Sequence, residues 1–179
     1  TIALELVEQL ADIDAVIVPI GGGGLISGIA YTLKTINPKI KVYGVEAAGA
    51  ASMKNALSQG ELEELSSVST IADGIAVKKP GTLTYEICSK YVDEIVTVTA
   101  DEISAAILAL MEKPKLVTEG AGAVAVAAAM FGKLPLRGKR VVCLVSGGNI
   151  DVNILSRVIT RGLVKSGRNA TLEIVLQDK

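Results

Sequence analysis

Four consecutive glycines, Gly21 to Gly24, directly follow the apolar run 15–20. A glycine run leaves its main-chain N–H groups uncovered and permits left-handed backbone conformations. Between a strand and a helix, such N–H groups can bind a phosphate or another anion, which the positive end of the helix dipole also attracts. The apolar spacing from Leu25 onward predicts that helix, so we expect an anion site here. A tight turn that needs glycine is the alternative, although one or two glycines would suffice for it.

A second glycine-rich segment, Ser146-Gly147-Gly148-Asn149, follows the apolar residues 141–145. The serine hydroxyl can donate or accept a hydrogen bond, and the glycines let a planar ligand approach closely. Asn149 or Asp151 can instead serve only as the N-cap of the next helix. Glu119 begins an Ala-rich helix, where an acidic residue usually offsets the helix dipole.

Two common nucleotide-binding motifs do not fit the glycine run. The G-x-G-x-x-G pattern requires glycine where Ile26 or Ser27 stands, depending on the register. No Gly-Lys-Ser/Thr follows the run, so the phosphate loop of nucleotide triphosphatases is also excluded. Glu46 does stand about where a ribose-binding acid would, which leaves a NAD-binding oxidoreductase as a distant alternative.

Short apolar strands alternate with helices along the chain. The pattern predicts strands at 15–20, 41–46, 94–99 and 140–146, and helices at 2–11, 25–36, 50–59, 82–91, 101–112, 119–131 and 151–166. This alternation predicts an α/β fold with three layers, a mostly parallel sheet with helices on both faces. Ligands bind such sheets at the carboxyl ends of the strands. We therefore expect Gly21–Gly24, Glu46 and Ser146–Asn149 to lie on one rim.

The composition narrows the class of protein. Half of the 179 residues are hydrophobic but only 3% are aromatic, which predicts an aliphatic core. The net charge of −1 gives no broad field for nucleic acid or an anionic membrane, and no apolar run reaches the roughly 18 residues of a membrane span. The absence of histidine excludes Ser-His-Asp catalysis and His-ligated zinc within this sequence.

Two cysteines, Cys88 and Cys143, are too few for a disulfide framework. We expect Cys143 to be an inert buried residue and the protein to be cytoplasmic. The sequence opens within a helical pattern and closes on 170–179, an alternating segment that predicts a strand without a partner. We therefore expect the chain to be part of a longer polypeptide.

In their order and spacing, these segments resemble the fold-type II pyridoxal-phosphate enzymes. The residues 18–28, Val-Pro-Ile-Gly-Gly-Gly-Gly-Leu-Ile-Ser-Gly, resemble the phosphate loop of that family. Further similarities lie at Tyr43–Glu46, Thr70–Val77, Glu119–Ala123 and Ser146–Asn149. More narrowly, the chain resembles the threonine ammonia-lyase (threonine dehydratase) family, with the serine racemases as close kin. The resemblance implies that 1–168 are part of the large pyridoxal-phosphate-binding domain, whose fold is like that of the tryptophan synthase β-subunit, and that 169–179 begin an ACT regulatory domain.

The resemblance implies pyridoxal phosphate as the cofactor and gives roles to individual residues. The phosphate would be held by the N–H groups of Gly21, Gly22, Gly23 and Gly24. Ser146 would hydrogen-bond the pyridine nitrogen, while Gly74 and Glu119 would line the pocket beside the ring. Leu25 and Gly147 would also belong to the cofactor-binding set. A hydroxyl is a far weaker base than a carboxylate and leaves that nitrogen largely neutral, which favours β-elimination over transamination. The implied reaction converts L-threonine or L-serine to 2-oxobutanoate or pyruvate and ammonia.

The family's Schiff-base lysine lies in a Ser-x-Lys-x-Arg-Gly segment that this sequence lacks. Ser52-Met53-Lys54 mimics its start but continues differently, so we expect Lys54 to be a solvated helix lysine. The resemblance therefore implies that no catalytic residue lies in this chain. It also implies that the chain is inactive without the N-terminal part of the same enzyme, and that the enzyme is a homo-oligomer. Serine racemase, serine dehydratase or a non-catalytic ligand-binding regulatory module are alternatives.

Some serine racemase relatives bind a divalent cation through the acid at Glu46 and a second acid six residues on. That second position is Ser52, a poor ligand beside a carboxylate, so Glu46 is only a weak candidate and we expect no strong metal site. A basic stripe, Arg157, Arg161, Lys165 and Arg168, has helical spacing. It predicts a solvated face or a subunit contact, with a nucleotide activator site as the alternative.

Overall fold

The computed structural model describes residues 1–176. Its helices are α1 (Ile2–Gln9), α2 (Gly24–Ile36), α3 (Ser52–Gln59), α4 (Thr82–Tyr91), α5 (Ala100–Glu112), α6 (Gly120–Met130) and α7 (Val152–Lys165), and its strands are β1 (Ala15–Pro19), β2 (Lys41–Ala47), β3 (Glu94–Val98) and β4 (Val141–Cys143). Short 3₁₀ turns at Ala48–Ala50 and Asp73–Ile75 complete the regular structure. The alternation of helices and strands that the sequence predicts is confirmed.

All described strand pairs are parallel, in the order β3-β2-β1-β4. Ile17 at the centre of β1 is in register with Tyr43 on one side and Cys143 on the other. The carboxyl ends of the strands therefore lie along one edge of the sheet, from which the glycine run and the segment after β4 emerge.

Alternate side chains of β1 enter two different apolar clusters. Ala15 and Ile17 pack with α5, α6 and α7, which we call the α6 layer. Val16 and Val18 pack with α1, α2 and α4 on the opposite face, which we call the α2 layer. A buried strand with helices on both sides is apolar at every position because both of its faces are covered, as all five residues of β1 are. The sheet with its two helical layers is the predicted three-layer α/β fold.

Helix α6 forms the inner part of its layer through small side chains. Eight of its eleven residues are buried, and the buried set contains only glycine, alanine and valine. Such a helix can approach the sheet closely along its whole length. It also carries Glu119 at its N-cap to the carboxyl edge of the sheet.

Three predictions about the C-terminal part of the chain need correction. Strand β4 is shorter than the predicted 140–146, and its residues are only partly buried because β1 is its single described neighbour. Cys143 is accordingly partly buried. The predicted strand at 170–179 is absent from 170–176, which have neither helix nor strand, and 177–179 lie outside the described residues.

The predicted basic stripe extends past α7, because Arg168 follows the last residue of that helix, Lys165, and it is partly occupied by ion pairs to α5. Arg161 pairs with Asp101, and Arg168 holds Glu112 through two bonds of 2.8 and 3.2 Å. These pairs join α7 and the residues that follow it to α5 from the solvent side, and the pairing with Arg168 lowers the pKa of the Glu112 carboxyl.

Candidate functional site: a cavity at the carboxyl edge of the sheet

A cavity of about 320 Å³ opens where β1 and the segment after β4 leave the sheet. Its lining combines residues from four separate parts of the sequence: Pro19, Gly21, Gly22, Gly23, Gly24, Leu25, Gly74, Ile75, Glu119, Ala121 and Ser146. Eight of the nine residues that the sequence analysis assigned to the cofactor line this cavity. Gly147, the ninth, follows Ser146 in the chain and does not line the cavity.

The glycine run forms one end of the cavity. Gly23 is the N-cap of α2, with a φ of 91° that side chains with a Cβ rarely adopt. A Cβ on Gly23 would lie 2.6 Å from Met53 Cε and 2.9 Å from Thr84 Cβ, so the position also lacks room for a side chain. Only glycine satisfies both constraints at this point of the loop.

The N–H groups of Gly21 to Leu25 have no hydrogen-bond acceptor among residues 1–176. The N–H of Ile26 likewise has no acceptor among these residues, and the hydrogen bonds of α2 begin with Ser27, which donates to Gly23 at 3.0 Å. Unpaired N–H groups in the first turn of a helix are the usual donors to an anion. The cavity therefore offers main-chain donors where the sequence predicts a phosphate.

The electrostatics of the cavity come from the backbone. Glu119 is the single ionisable side chain among the described residues that line the cavity, and it is acidic. No lysine or arginine of residues 1–176 lines it, so attraction for a phosphate rests there on the N–H groups and the dipole of α2. This arrangement can bind an anion at the glycine end while leaving a carboxylate and a hydroxyl to face the rest of a ligand.

Glu119 and Ser146 stand apart from the glycine end and come from α6 and the segment after β4. The side chain of Glu119 does not cap its own helix. It packs instead against Gly147, where a Cβ would lie 2.0 Å from Glu119 Oε1, and near Gly74, where the corresponding distance is 3.8 Å. Glycine at position 147 leaves the carboxylate its place beside the cavity, whereas a Cβ at Gly74 would only make an ordinary van der Waals contact with it. Glu119 is thus the N-cap of α6 without a side-chain hydrogen bond to that helix.

Glu46 does not line this cavity, although the sequence places it on the same rim. Its carboxylate is fully buried and accepts hydrogen bonds from the N–H groups of Met53 at 2.8 Å and Lys54 at 2.9 Å. It therefore caps α3 from β2, and both carboxylate oxygens are engaged there. Within the described residues, no group of three or more metal-binding side chains accompanies it.

Lys54 lies away from the glycine end of the cavity. Its side chain is exposed and borders a different surface depression together with Asn55 and Ser58. The position agrees with the predicted solvated helix lysine. Asp151 rather than Asn149 is the N-cap of α7, with its carboxylate accepting from Asn153 N–H at 2.7 Å.

Comparison with known proteins assigns the family. The family of pyridoxal-phosphate dependent enzymes matches residues 1–147, which is more than half of the chain. This chain belongs to that family. All of the residues that line the cavity lie within the matched region, because the last of them along the chain is Ser146.

Several relatives of the pyridoxal-phosphate dependent family are similar over most of the chain. An L-threonine ammonia-lyase of Thermotoga maritima is 52% identical over all 179 residues, which span 44% of that protein. Processed threonine deaminase isoform 2 of Solanum lycopersicum has a TM-score of 0.85 at 42% identity, over 90% of this chain and 48% of its own. Serine racemase of Dictyostelium discoideum has a TM-score of 0.77 at 38% identity, over 84% and 48%. The chain thus spans about half the length of these relatives.

Two hydroxyl groups near the cavity were not identified from the sequence. Thr118 is fully buried and donates to the carbonyl oxygen of Gly147, while Thr84 on α4 contacts the carbonyl oxygen of Gly22. Each partner is distant along the chain, by 29 and 62 residues respectively. No local pattern marks either threonine, because its role depends on a strand or loop that only folding brings near.

None of the helices among residues 1–176 combines the length and the apolar character that crossing a membrane requires.

Proposed function

We propose that this chain is the cofactor-binding part of a pyridoxal-phosphate dependent ammonia-lyase that acts on L-threonine or L-serine. The observation that carries the proposal is the set of unpaired N–H groups from Gly21 to Leu25, residues that line a cavity together with Ser146 and Glu119. The 52% identity to an L-threonine ammonia-lyase supports the same reaction.

In this proposal the phosphate binds at the glycine end. The N–H groups of Gly21, Gly22, Gly23, Gly24 and Leu25 are the donors, with the dipole of α2 adding to them. Gly147 leaves room for the Glu119 carboxylate beside the cavity, where it can face a flat ring. The residues present therefore fit pyridoxal phosphate.

Ser146 is proposed as the hydrogen-bond partner of the pyridine nitrogen. When bound, pyridoxal phosphate supplies an electron sink for breaking bonds at the α-carbon of an amino acid. A serine hydroxyl leaves the ring nitrogen largely neutral and so restrains that sink. Loss of the β-hydroxyl of threonine or serine is then favoured over transfer of the amino group. The products are 2-oxobutanoate or pyruvate, with ammonia.

The remaining parts of the active enzyme are proposed to come from outside these residues. The Schiff-base lysine would be supplied by an N-terminal part of the same enzyme, since the relatives are about twice as long as this chain. Residues 1–168 would form part of the large domain, and 169–179 would begin an ACT domain. We further propose a cytoplasmic homo-oligomer, and the isolated chain is expected to release no ammonia.

The test uses the full-length protein that contains this chain, incubated with pyridoxal phosphate and L-threonine or L-serine. Formation of 2-oxobutanoate or pyruvate with equimolar ammonia supports the proposal. Formation of D-serine without ammonia would instead identify a serine racemase, which the likeness to the Dictyostelium enzyme makes the second candidate. Cofactor binding without either product would indicate a regulatory module.

A matched pair of variants connects the activity to this cavity. Ser146→Ala removes the hydroxyl that faces the ring and is expected to lower kcat by about tenfold or more. Ser89→Ala removes an exposed hydroxyl on α4, whose bond is to Glu86 of the same helix, and is expected to leave the rate unchanged. Equal rates for the two variants would contradict the role of Ser146.

A further inference from the structure

We infer that Thr84 is a positioning residue for the phosphate loop, because it holds the peptide between Gly22 and Gly23 with its N–H turned toward the anion. The inference rests on the proposed function, since it assigns the phosphate to the glycine end of the cavity. Thr84 does not line that cavity. Its action is therefore indirect, through the orientation of the main chain.

The contact is short and joins two distant parts of the chain. Thr84 Oγ1 donates to the carbonyl oxygen of Gly22 at 2.6 Å and lies 2.9 Å from the carbonyl oxygen of Gly81. The N–H of Gly81 also approaches the Gly22 oxygen, at 3.4 Å. The Gly22 carbonyl is thus held by the first turn of α4 from two directions.

The orientation of the neighbouring N–H follows from the planar peptide. The C=O of Gly22 and the N–H of Gly23 belong to one peptide unit, and in a trans peptide they point in opposite directions. Residues 1–176 contain no cis peptide bond. Because the carbonyl points at Thr84, which lies outside the cavity, the Gly23 N–H points away from Thr84.

A glycine run needs such a restraint more than other sequences do. Gly22 and Gly23 have no Cβ, so the peptide between them can rotate at little steric cost. A rotated peptide would direct the Gly22 oxygen toward a bound phosphate, where two negative groups repel each other. The hydrogen bond to Thr84 opposes that rotation and preserves a donor at the anion.

Helix α4 can impose this restraint because its first turn is fixed in place. Tyr85 N–H donates to Gly81 at 2.9 Å, and the buried Ser27 hydroxyl of α2 lies 3.4 Å from the Thr84 carbonyl oxygen. Ser27 belongs to the helix that the glycine run begins. The glycine run is therefore held in place by α2 and α4, which pack directly on each other.

The experiment compares two ligands that differ only in the phosphate group. Affinities for pyridoxal phosphate and pyridoxal are measured by fluorescence titration of the full-length apoprotein that contains this chain. The ratio of the dissociation constant for pyridoxal to that for pyridoxal phosphate isolates the contribution of the phosphate. Thr84→Val is expected to reduce this ratio by about tenfold or more, because the phosphate would lose the charged hydrogen bond from the Gly23 N–H that Thr84 orients. The affinity for pyridoxal is expected to stay within about twofold of the wild-type value.

Two further variants separate positioning from general damage. Thr84→Ser keeps the hydroxyl and is expected to retain the wild-type ratio. Thr82→Val makes the same change two residues earlier at an exposed position of α4, and is also expected to retain it. If Thr84→Val does not fold, Thr84→Ala removes the hydroxyl without adding a methyl group, and the same reduction is expected of it.

The possible failures are distinguishable. A wild-type protein that binds pyridoxal as tightly as pyridoxal phosphate would contradict the phosphate site itself, and with it the proposed function. A wild-type protein that prefers pyridoxal phosphate, with an unchanged ratio in Thr84→Val or Thr84→Ala, would overturn the role of Thr84 alone. A ratio that falls equally in Thr84→Ser would do the same, because the hydroxyl would then not be the cause.

Discussion

The Thr118 hydroxyl donates a 2.7 Å hydrogen bond to the carbonyl oxygen of Gly147, which joins the residue before the N-cap of α6 to the segment after β4. The N–H of Glu119 donates to the same oxygen at 3.1 Å. Two neighbouring residues therefore hold one carbonyl, and this contact sets the position of Ser146 relative to Glu119 across the cavity.

Thr118→Val is expected to lower the free energy of unfolding by about 1–3 kcal/mol, because Thr118 is fully buried and the Gly147 carbonyl loses the shorter of its two hydrogen bonds. Chemical denaturation of the full-length protein measures the change. Thr118→Ser keeps the hydroxyl and is expected to lose much less. Equal destabilisation by valine and serine would contradict this explanation, because the serine variant keeps the hydroxyl.

Gly122→Ala is expected to destabilise the protein by about 1–3 kcal/mol through overpacking. A Cβ at Gly122 would lie 2.3 Å from Thr118 Oγ1 and 2.7 Å from the Gly147 carbonyl oxygen, and the latter is main chain that cannot rotate away. Gly28→Ala is the matched control, since Gly28 lies within α2 and nothing stands within 4 Å of its Cβ position. Thermal unfolding should show stabilisation of about 0.5–1 kcal/mol for Gly28→Ala, and equal shifts in both variants would refute the steric explanation.

Gly23→Ala and Gly24→Ala provide a second matched pair, within the glycine run itself. Gly23 combines a φ of 91° with a crowded Cβ position, so alanine there is expected to cost about 1–3 kcal/mol. Gly24 is the first residue of α2 with open space around it, and alanine there is expected to be neutral or slightly stabilising. Denaturant midpoints measured on the apoprotein test this. A loss at Gly24 as large as at Gly23 would mean that the local conformation is different.

Glu46 gives the protein a stability that depends on pH. Burial raises the pKa of its carboxyl group from 4.5 to about 7, against the opposing effect of the N–H donors of Lys54 and Met53. Because the pKa is higher in the folded protein, this group's contribution is complete below about pH 4.5, declines with rising pH and is lost above about pH 7. The change is on the order of 3 kcal/mol.

Glu46→Gln removes this titration and tests it. The free energy of unfolding of the wild type minus that of the variant should decrease between pH 5 and pH 8. Glu102→Gln is the control of opposite sign: burial would raise the pKa of Glu102, but hydrogen bonds from Lys133 and Thr99 lower it overall. The corresponding difference for Glu102 should decrease as the pH falls below about 4.5. A difference for Glu46 that is independent of pH would contradict the raised pKa.

The extent to which the sequence predicts this structure depends on how local the determining interactions are. Helix α4 occurs at the predicted 82–91, because Gly81 precedes it and the helical spacing ends at Tyr91. The capping box that begins α5, with Thr99 and Glu102, is equally local. Strand β4 is shorter and more exposed than predicted, since an apolar run does not reveal how many neighbouring strands will cover it.

The residues of the candidate site also fall into two groups, those that the sequence predicts and those whose roles depend on distant partners. The glycine run and Ser146 could be identified because strand ends in a parallel sheet share one edge, which is a general rule of the fold. The same rule places Glu46 on the rim, but its side chain turns to the unpaired N–H groups of α3 instead. That outcome depends on where a separate helix packs. Thr84 and Thr118 depend on distant partners for the same reason.

The two walls of the cavity belong to different layers of the molecule. The glycine run begins a helix of the α2 layer, whereas Glu119 and Ile75 belong to elements of the α6 layer, with the sheet between the two apolar clusters. A ligand that contacts both walls therefore links the α2 layer to the α6 layer, which pack separately on the two faces of the sheet. The binding free energy of such a ligand adds to the free energy that is needed to separate the two layers. Ligand occupancy and the cooperativity of unfolding are therefore thermodynamically linked.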